Sequence, residues 1–134
     1  MIGDTDFFID LMHTRRIHHV AAVEKAKELE SQGVRIAMTA LTRFELSVGI
    51  AQFVEPAKER EKVRRLIHAY PTYALDGPAG DHAGAIHGTL RARGIALGTA
   101  DSLIAAIALE NREPLLTRNR KDFSRVQGLT IETY

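Results

Sequence analysis

The strongest constraint on the fold of this chain is a run of seven apolar residues, 103–109, that closely follows a single acid, Asp101. A helix with this sequence offers no polar face to water, so it has to be buried. Asp101 is the only charged residue between Arg93 and Glu110. Burial of an ionised carboxylate costs several kcal/mol, whereas the dipole of a helix N-terminus offsets only about 0.3–1 kcal/mol. A basic side chain, a set of hydrogen bonds or a bound cation must therefore stabilise Asp101.

The order of the predicted elements indicates an α/β fold. Short strand candidates alternate with helical patterns, and they lie at residues 1–3, 34–39, 72–75, 114–117 and 129–131. This alternation favours a short, mostly parallel central sheet flanked by helices. A length of 134 residues and a hydrophobic content of 45% predict a single domain over residues 1–134.

Composition excludes several classes of protein. The chain has no cysteine, which removes disulfide frameworks and thiolate metal sites. No apolar run approaches the roughly 18 residues of a membrane span, and two acids stand near the N-terminus, where a signal peptide needs positive charge. We therefore expect a cytoplasmic protein without membrane association. The balance of 18 basic against 17 acidic residues neither favours nor excludes a polyanionic partner.

Carboxylate and amide side chains follow several of the predicted strands. They are Asp4, Glu45, Asp101, and Asn119 together with Asp122. In α/β sheets ligands bind beyond the carboxyl ends of the strands, so these side chains are expected to converge. Oxygen ligands without cysteine, and without a histidine pair at a metal-binding spacing, favour Mg²⁺ or Mn²⁺. A shared cation would also relieve the repulsion that raises the pKa values of clustered carboxylates.

Each acid also has a purely structural interpretation. Glu45 follows Thr42 at the spacing of a capping box, and Thr99 can act as an N-cap that leaves Asp101 as a first-turn acid. Asp10 would then lie on the solvent-facing side of its helix. Two further acids would serve as turn or cap residues: Asp4 and Asp6. Independent caps have no reason to follow successive strands, which favours the shared cation.

Four segments in this order resemble PIN-domain ribonucleases. They are Asp-Thr-Asp-Phe-Phe-Ile-Asp-Leu at 4–11, Thr-Arg-Phe-Glu-Leu at 42–46, Leu-Gly-Thr-Ala-Asp-Ser-Leu-Ile-Ala-Ala at 97–106 and Leu-Thr-Arg-Asn-Arg-Lys-Asp-Phe at 116–123. The length and the sequence Val-Gln-Gly-Leu at 126–129 are similar to VapC-type toxins. Two features depart from the family. Only three residues precede Asp4, and Asn119 stands at the fourth acidic position, with Asp122 as a substitute.

The resemblance implies a Mg²⁺- or Mn²⁺-dependent endoribonuclease that is the toxin of a toxin–antitoxin pair. Asp4 and Asp101 would hold the principal metal ion, and Glu45 would bind it or orient the attacking water. Three further residues would tune the site or hold a second ion: Asp6, Asn119 and Asp122. Thr5 and Thr117 would offer hydroxyls beside the metal or a phosphate. For the Thr117 hydroxyl, a purely structural hydrogen bond is an equal alternative. The implied partners are a VapB-type antitoxin, an RNA substrate such as tRNA or rRNA, and a second copy in a homodimer.

An acidic site that cleaves RNA also needs basic residues around it. Between Arg112 and Arg125 the chain carries five positive and two negative residues. Within this segment we predict contacts to RNA phosphates from Arg118, Arg120 and Lys121, which would position RNA without reading its sequence. A solvated surface loop is the alternative for each.

Three other functional classes share parts of this pattern. A haloacid-dehalogenase-like phosphatase also carries Asp-x-Asp near the N-terminus, but a further acid is missing after Asp81 and the strand before Asp4 is too short. A response-regulator receiver domain distributes its acids differently. A catalytically silent PIN-like module that only binds RNA or protein would not need Asp4, Glu45 and Asp101 together.

Overall fold

Five short parallel strands form the centre of the fold in a computed structural model that describes residues 1–134. Seven helices surround them. The elements in chain order are β1 (Ile2–Gly3), α1 (Thr5–Met12), α2 (His19–Ser31), β2 (Met38–Thr39), α3 (Ala40–Ile50), α4 (Pro56–Ala69), β3 (Thr72–Tyr73), α5 (Gly77–Ala92), α6 (Thr99–Glu110), β4 (Leu115–Leu116), α7 (Arg120–Phe123) and β5 (Ile131–Glu132).

All strand pairs are parallel. One sheet has the order β1-β4-β5, and a second consists of β2 and β3. A single parallel bridge between Ile2 and Ala37 joins the two, so that the strands follow the order β3-β2-β1-β4-β5. The predicted α/β class and the parallel sheet are confirmed. The strands are shorter than predicted because only two residues of each are paired with a neighbouring strand.

Helix α6 is the buried centre of the fold, as its sequence predicts. Residues 104–108 are no more than 2% exposed, and the small side chains allow α5 to pack closely against them. Burial of the two isoleucines in this stretch, Ile104 and Ile107, stabilises the fold by about 1.5–3 kcal/mol each. A second core of phenylalanine and aliphatic side chains lies between the sheet and α1 to α4. The two cores fix α1 and α3 relative to the N-terminus of α6.

The first residues of α3 and α6 show whether Glu45 belongs to a capping box and whether Thr99 is an N-cap. The N-cap of α3 is Thr39, whose hydroxyl accepts a hydrogen bond from the backbone N–H of Thr42 at 3.0 Å. Glu45 therefore lies beyond the first turn of α3, and the predicted capping box is wrong. The N-cap of α6 is Gly98, without a side-chain hydrogen bond, so Thr99 does not cap this helix. None of the seven helices combines the length and the apolar character that crossing a bilayer requires.

Candidate active site

A cleft of about 310 Å³ opens at the carboxyl edge of the sheet and brings most of the predicted site residues together. Asp4 follows β1, Asn119 follows β4, Glu45 belongs to α3, and Asp101 stands in the first turn of α6. The cleft is lined by Asp4, Thr5, Asp6, Ile9, Glu45, Asp101, Ile104, Asn119 and Phe123. The convergence expected from the parallel strands is therefore present in the structure.

Asp4 is the most deeply placed acid of the cleft. It is the N-cap of α1, where its Oδ1 accepts a hydrogen bond from the backbone N–H of Phe7 at 2.7 Å. The hydroxyl of Thr117 donates to Oδ2. Burial raises the pKa of Asp4 to about 6, although both hydrogen bonds lower it. The Asp4 side chain thus caps α1 and lines the cleft at the same time, although the sequence suggested these two roles as alternatives.

Asp101 is the acid that lacks compensation. It forms no ion pair and accepts no hydrogen bond, so neither of two predicted sources of stabilisation is present. Burial raises its pKa, and the negative charges of Glu45, Asp122 and Asp6 raise it further. Neither a basic side chain nor a hydrogen bond within the chain thus compensates the charge of this half-buried acid.

Glu45 is oriented by a neighbouring hydroxyl. The side chain of Thr5, at the start of α1, donates a hydrogen bond to Oε2 of Glu45 in α3. This contact joins two elements that are 40 residues apart in sequence. It also points the carboxylate into the cleft that Asp4 and Asp101 line.

The segment after β4 contributes a different role for each residue. Thr117 is fully buried, donates to Asp4 and accepts from the backbone N–H of Asn119 at 2.9 Å, which places its hydroxyl in a structural network. Asn119 lines the cleft, and its Oδ1 caps α7 by accepting from the N–H of Asp122 at 3.4 Å. The Asp122 carboxylate is not among the groups that line the cleft and pairs with Arg125 at 3.4 Å.

The expectation that Asp10 faces solvent is wrong. Its side chain is completely buried, and it binds Arg118 at 2.7 Å, Arg16, and the hydroxyl of Tyr134 at 3.0 Å. Although burial alone would raise the pKa of Asp10, the hydrogen bonds from Arg16 and Tyr134 hold it below its ordinary value. The same arginines reach the exposed Asp6 at the mouth of the cleft, at 3.4 and 3.8 Å.

The sequence did not predict the ion-pair network around Asp10, because Arg118 and Tyr134 are more than 100 residues away from it in the chain. The available signal was an acid between Ile9 and Leu11, which resembles the setting of Asp101 in an apolar helix. The network also changes the place of Arg118, whose guanidinium is turned towards Asp10 rather than freely into solvent. The other two basic residues of the predicted phosphate-binding set, Arg120 and Lys121, are exposed on α7.

The donor set of the cleft fits a divalent cation in charge and in chemistry. Only oxygen ligands face the cavity, and burial raises the pKa values of both Asp4 and Asp101, so a cation would stabilise their charged forms. As the side chains stand, no three carboxylates or imidazoles lie close enough together to coordinate one ion. The cleft thus provides the ligand types and the unbalanced charge, without a preformed coordination sphere.

Comparison with known proteins gives the family. The family model of the PIN domain matches residues 1–129. The chain is 27% identical over 100 residues to the tRNA(fMet)-specific endonuclease VapC of Salmonella typhimurium, covering 75% of this chain and 76% of the relative. It is 23% identical over 107 residues to ribonuclease VapC2 of Rickettsia felis, covering 80% of each.

Solved structures show the same fold. VapBC2 from Rickettsia felis, bound to a DNA fragment from its promoter, matches with a TM-score of 0.87 and 19% identity, over 99% of this chain and 97% of that chain. VapBC-1 from nontypeable Haemophilus influenzae matches with a TM-score of 0.84 and 25% identity, over 98% and 96%. The chain therefore belongs to the PIN-domain family, a nuclease fold, and within it is similar to the VapC-type ribonuclease toxins of VapBC systems.

Proposed function

We propose that this chain is a metal-dependent endoribonuclease that uses Mg²⁺ or Mn²⁺ and acts as a cytoplasmic toxin. The whole of residues 1–134 would form this one catalytic domain. The observation that carries the proposal is the uncompensated charge of Asp101 in a cleft that it shares with Asp4 and Glu45. Membership of the PIN-domain family supports the same reading.

Each acid has its own task in this proposal. A bound Mg²⁺ or Mn²⁺ would activate a water molecule and stabilise the charge that develops on the phosphate. Asp4 and Asp101 would hold the ion, Asp4 from a position that Thr117 and the N-terminus of α1 keep rigid. Glu45, oriented by Thr5, would bind the ion or accept a hydrogen bond from the attacking water. Asp6 and Asn119 would complete the cleft, and Asp122 would add negative charge beside it.

The basic residues near the cleft would position the RNA backbone. Arg120 and Lys121 are exposed one and two residues after Asn119, so phosphates on either side of the scissile bond could reach them. Arg118 is 24% exposed while it binds Asp10, which leaves part of its guanidinium for a phosphate. We propose tRNA or rRNA as the substrate; tRNA is supported by the name of the Salmonella relative.

The proposed partners are a VapB-type antitoxin and a second copy of the chain. The antitoxin is supported by the solved VapBC assemblies that share this fold. Homodimerisation is supported by exposed apolar side chains on α3, where Phe44 and Val48 lie one turn apart and are 63% and 49% exposed. Light scattering on the chain alone, and after addition of the antitoxin, would measure both associations.

Cleavage of total RNA in Mg²⁺, in Mn²⁺ and in EDTA tests the proposed activity. We expect cleavage only with metal, and a loss of at least a hundredfold in Asp4→Asn and in Asp101→Asn, since each removes a charged ligand. Asp81→Asn is the matched control because Asp81 is exposed on α5, outside the cleft. Cleavage in EDTA, or equal cleavage by the two cleft variants and the control, would contradict the proposal.

Thermal unfolding without metal gives a second test of the same acids. Asp101→Asn removes one of several like charges that raise each other's pKa values, so we expect an unchanged or higher melting temperature. Addition of Mn²⁺ should raise the melting temperature of the wild type and not that of the variant. An Asp101→Asn chain that is less stable without metal, or that Mn²⁺ stabilises equally, would show that Asp101 is a structural acid.

A further inference from the structure

A second cavity, of about 300 Å³, lies between α5 and the residues that follow α7. Two arginines line it, Arg93 at the C-terminal end of α5 and Arg125 two residues after α7, and no carboxylate does. The other ionisable group in its wall, His82, is bound to Glu110 at 2.7 Å. We call this space the basic cavity. Its volume is at the lower end of the range found for small-ligand sites.

The basic cavity is a direct neighbour of the acidic cleft. Phe123 lines the cleft and Arg125 lines the cavity, so these two wall residues are separated by at most about 7.6 Å between Cα atoms. Nη1 of Arg125 also donates a hydrogen bond to the carbonyl oxygen of Ala96 at 3.2 Å, in the loop that leads to Asp101. An RNA strand with its scissile phosphate in the cleft can therefore reach the basic cavity with a neighbouring phosphate.

Both arginines have donors to offer a ligand in this cavity. Arg93 is exposed, and its side chain forms no ion pair or hydrogen bond. The two contacts of Arg125, to Ala96 and to Asp122 at 3.4 Å, use the same nitrogen, Nη1. Its Nε and Nη2 therefore remain available, and the side chain is 32% exposed. Guanidinium groups bind phosphate through pairs of neighbouring N–H groups, which these two nitrogens provide.

The wall of the cavity favours a nucleic acid over a protein partner. Its uncharged polar members are Thr89 and Gln127. None of the large apolar side chains that this chain exposes lines it; Phe44, for example, stands on α3. The centres of protein interfaces are rich in aromatic groups and poor in charge, whereas interfaces with nucleic acids are polar and positively charged. An arginine-lined polar cavity beside the proposed site of cleavage therefore fits the sugar–phosphate backbone of RNA.

We propose that the basic cavity is a phosphate-binding subsite, which holds the RNA backbone next to the cleaved bond without reading its sequence. Nε and Nη2 of Arg125 bind one phosphate, and Arg93 contacts the same group. The subsite extends the phosphate contacts proposed for Arg120 and Lys121 from the exposed surface of α7 into a cavity. This inference rests on the proposed ribonuclease function.

Binding of RNA to the Asp101→Asn chain tests the subsite without cleavage. The probes are two fluorescein-labelled single-stranded RNAs of equal length, oligouridylate and a mixed sequence, measured over a series of salt concentrations. In Arg93→Ala we expect binding about fivefold weaker for both probes, which is the effect of one exposed ion pair. The slope of log K against log salt concentration should fall in magnitude by about 0.7, and Arg93→Lys, which keeps the charge, should retain the slope.

Arg91→Ala is the matched control for charge. Arg91 is exposed on the same helix, two residues before Arg93 and therefore about 200° away around the helix axis, and it does not line the cavity. Its removal changes the net charge equally, and we expect RNA binding and the salt slope to stay nearly unchanged. Equal losses in Arg91→Ala and Arg93→Ala would overturn the proposal, because they would indicate a diffuse attraction rather than a site.

Ala85→Phe tests the cavity itself, because it fills the space and leaves the charge untouched. Ala85 is exposed in the cavity wall, and the matched control Ala92→Phe adds the same ring to α5 outside the cavity. We expect weaker RNA binding only in Ala85→Phe. Unchanged binding in that variant would overturn the proposal.

Three other results would assign the cavity to a different ligand and so overturn the proposal. A loss in Arg93→Ala for only one of the two probes would indicate that the cavity reads bases. A rise in melting temperature with uridine monophosphate, abolished in Arg93→Ala, would identify a free nucleotide as the ligand. Variants that bind RNA normally and lose only the antitoxin would make the cavity a protein-docking site.

Cleavage kinetics separate this inference from the proposed function. In a chain that retains Asp101, Arg93→Ala should raise KM for RNA more than it lowers kcat, since it removes binding remote from the reacting bond. Metal-dependent cleavage with an unchanged KM in Arg93→Ala would refute the subsite and leave the nuclease standing. Absence of metal-dependent cleavage by the wild type would refute the nuclease, whereas the binding comparison, which needs no cleavage, would still test whether the basic cavity holds RNA.

Discussion

Replacement of Asp10 by asparagine is the change with the largest expected effect on stability outside the acidic cleft. Asp10 is completely buried and is bound by Arg118 at 2.7 Å, by Arg16 and by Tyr134 at 3.0 Å. The amide has nearly the same shape but no charge. The variant therefore leaves two partly exposed arginines, Arg16 at 42% and Arg118 at 24%, beside a buried neutral group.

The structure sets the size of the loss. Removal of one partner from a buried ion pair costs about 3–5 kcal/mol. Arg118 is 24% exposed and keeps Asp6 at 3.4 Å, which favours the lower limit of about 3 kcal/mol. For 134 residues the entropy of unfolding is about 0.28 kcal/mol/K. The expected fall in melting temperature is therefore about 10 °C.

Urea and thermal unfolding, followed by circular dichroism, would measure this loss. Glu61→Gln is the matched control, because Glu61 also binds two arginines, Arg64 at 2.8 Å and Arg65 at 2.9 Å, but on an exposed helix surface. We expect its unfolding midpoint to remain nearly unchanged. Similar losses in the two variants would refute the argument that burial, rather than the number of ion pairs, decides the cost.

The pH dependence of the Asp10→Asn effect follows from the same contacts. The pKa of Asp10 in the folded protein lies below its ordinary value of 3.8, so its ion pairs contribute fully above that value. Their contribution is lost as the pH falls through the lower, folded-state pKa. The difference in stability between wild type and variant should therefore be constant near neutral pH and narrow in acid below about pH 4.

Three further substitutions have defined outcomes. Gly3→Ala would place its Cβ 2.8 Å from the ring of the first phenylalanine of α1, so we expect a loss of about 1–3 kcal/mol in urea unfolding. Gly98→Ala would bring Cβ to 3.3 Å from Oδ2 of Asp101, and we expect a several-fold slower cleavage rate with an unchanged melting temperature. The pKa of Asp4 is about 6 with the Thr117 hydrogen bond in place, and that bond lowers it. Thr117→Val removes the bond, so the acid limb of the pH–rate profile should move to higher pH, and Thr117→Ser should restore it.

Much of the fold could be predicted because it depends on local patterns. The apolar run at 103–109 requires a buried helix wherever it lies, and α6 is that helix. The alternation of helices and strands indicated a parallel sheet, which the structure confirms. Strand boundaries were not predicted: the strand expected at 34–39 is paired only from Ala37 to Thr39, because pairing depends on the reach of the neighbouring strand.

The candidate site could be predicted in its composition but not in its contacts. Asp4 and Asn119 line one cleft because the parallel strands β1 and β4 end at the same edge of the sheet, whereas α3 and α6 bring Glu45 and Asp101 to it. Two of their hydrogen bonds come from hydroxyls that no spacing rule indicates, that of Thr117 to Asp4 and that of Thr5 to Glu45. Glu45 forms no capping box because α3 begins at Ala40 with Thr39 as its N-cap, three residues before Thr42. Glu45 therefore lies beyond the first turn of the helix.

The sequence by itself determined that this chain has a buried helix headed by one acid, a parallel α/β arrangement, and oxygen-bearing side chains after its first and fourth strands. These properties follow from the periodicity of neighbouring residues, which is a local quantity. Only the tertiary structure decided that Asp10 is buried between two arginines, that Asp101 has no partner within the chain, and that the buried Glu59 meets His13 and Lys62. Such features depend on which distant side chains meet after packing, and the free energy of a buried charge is set by those neighbours rather than by its place in the sequence.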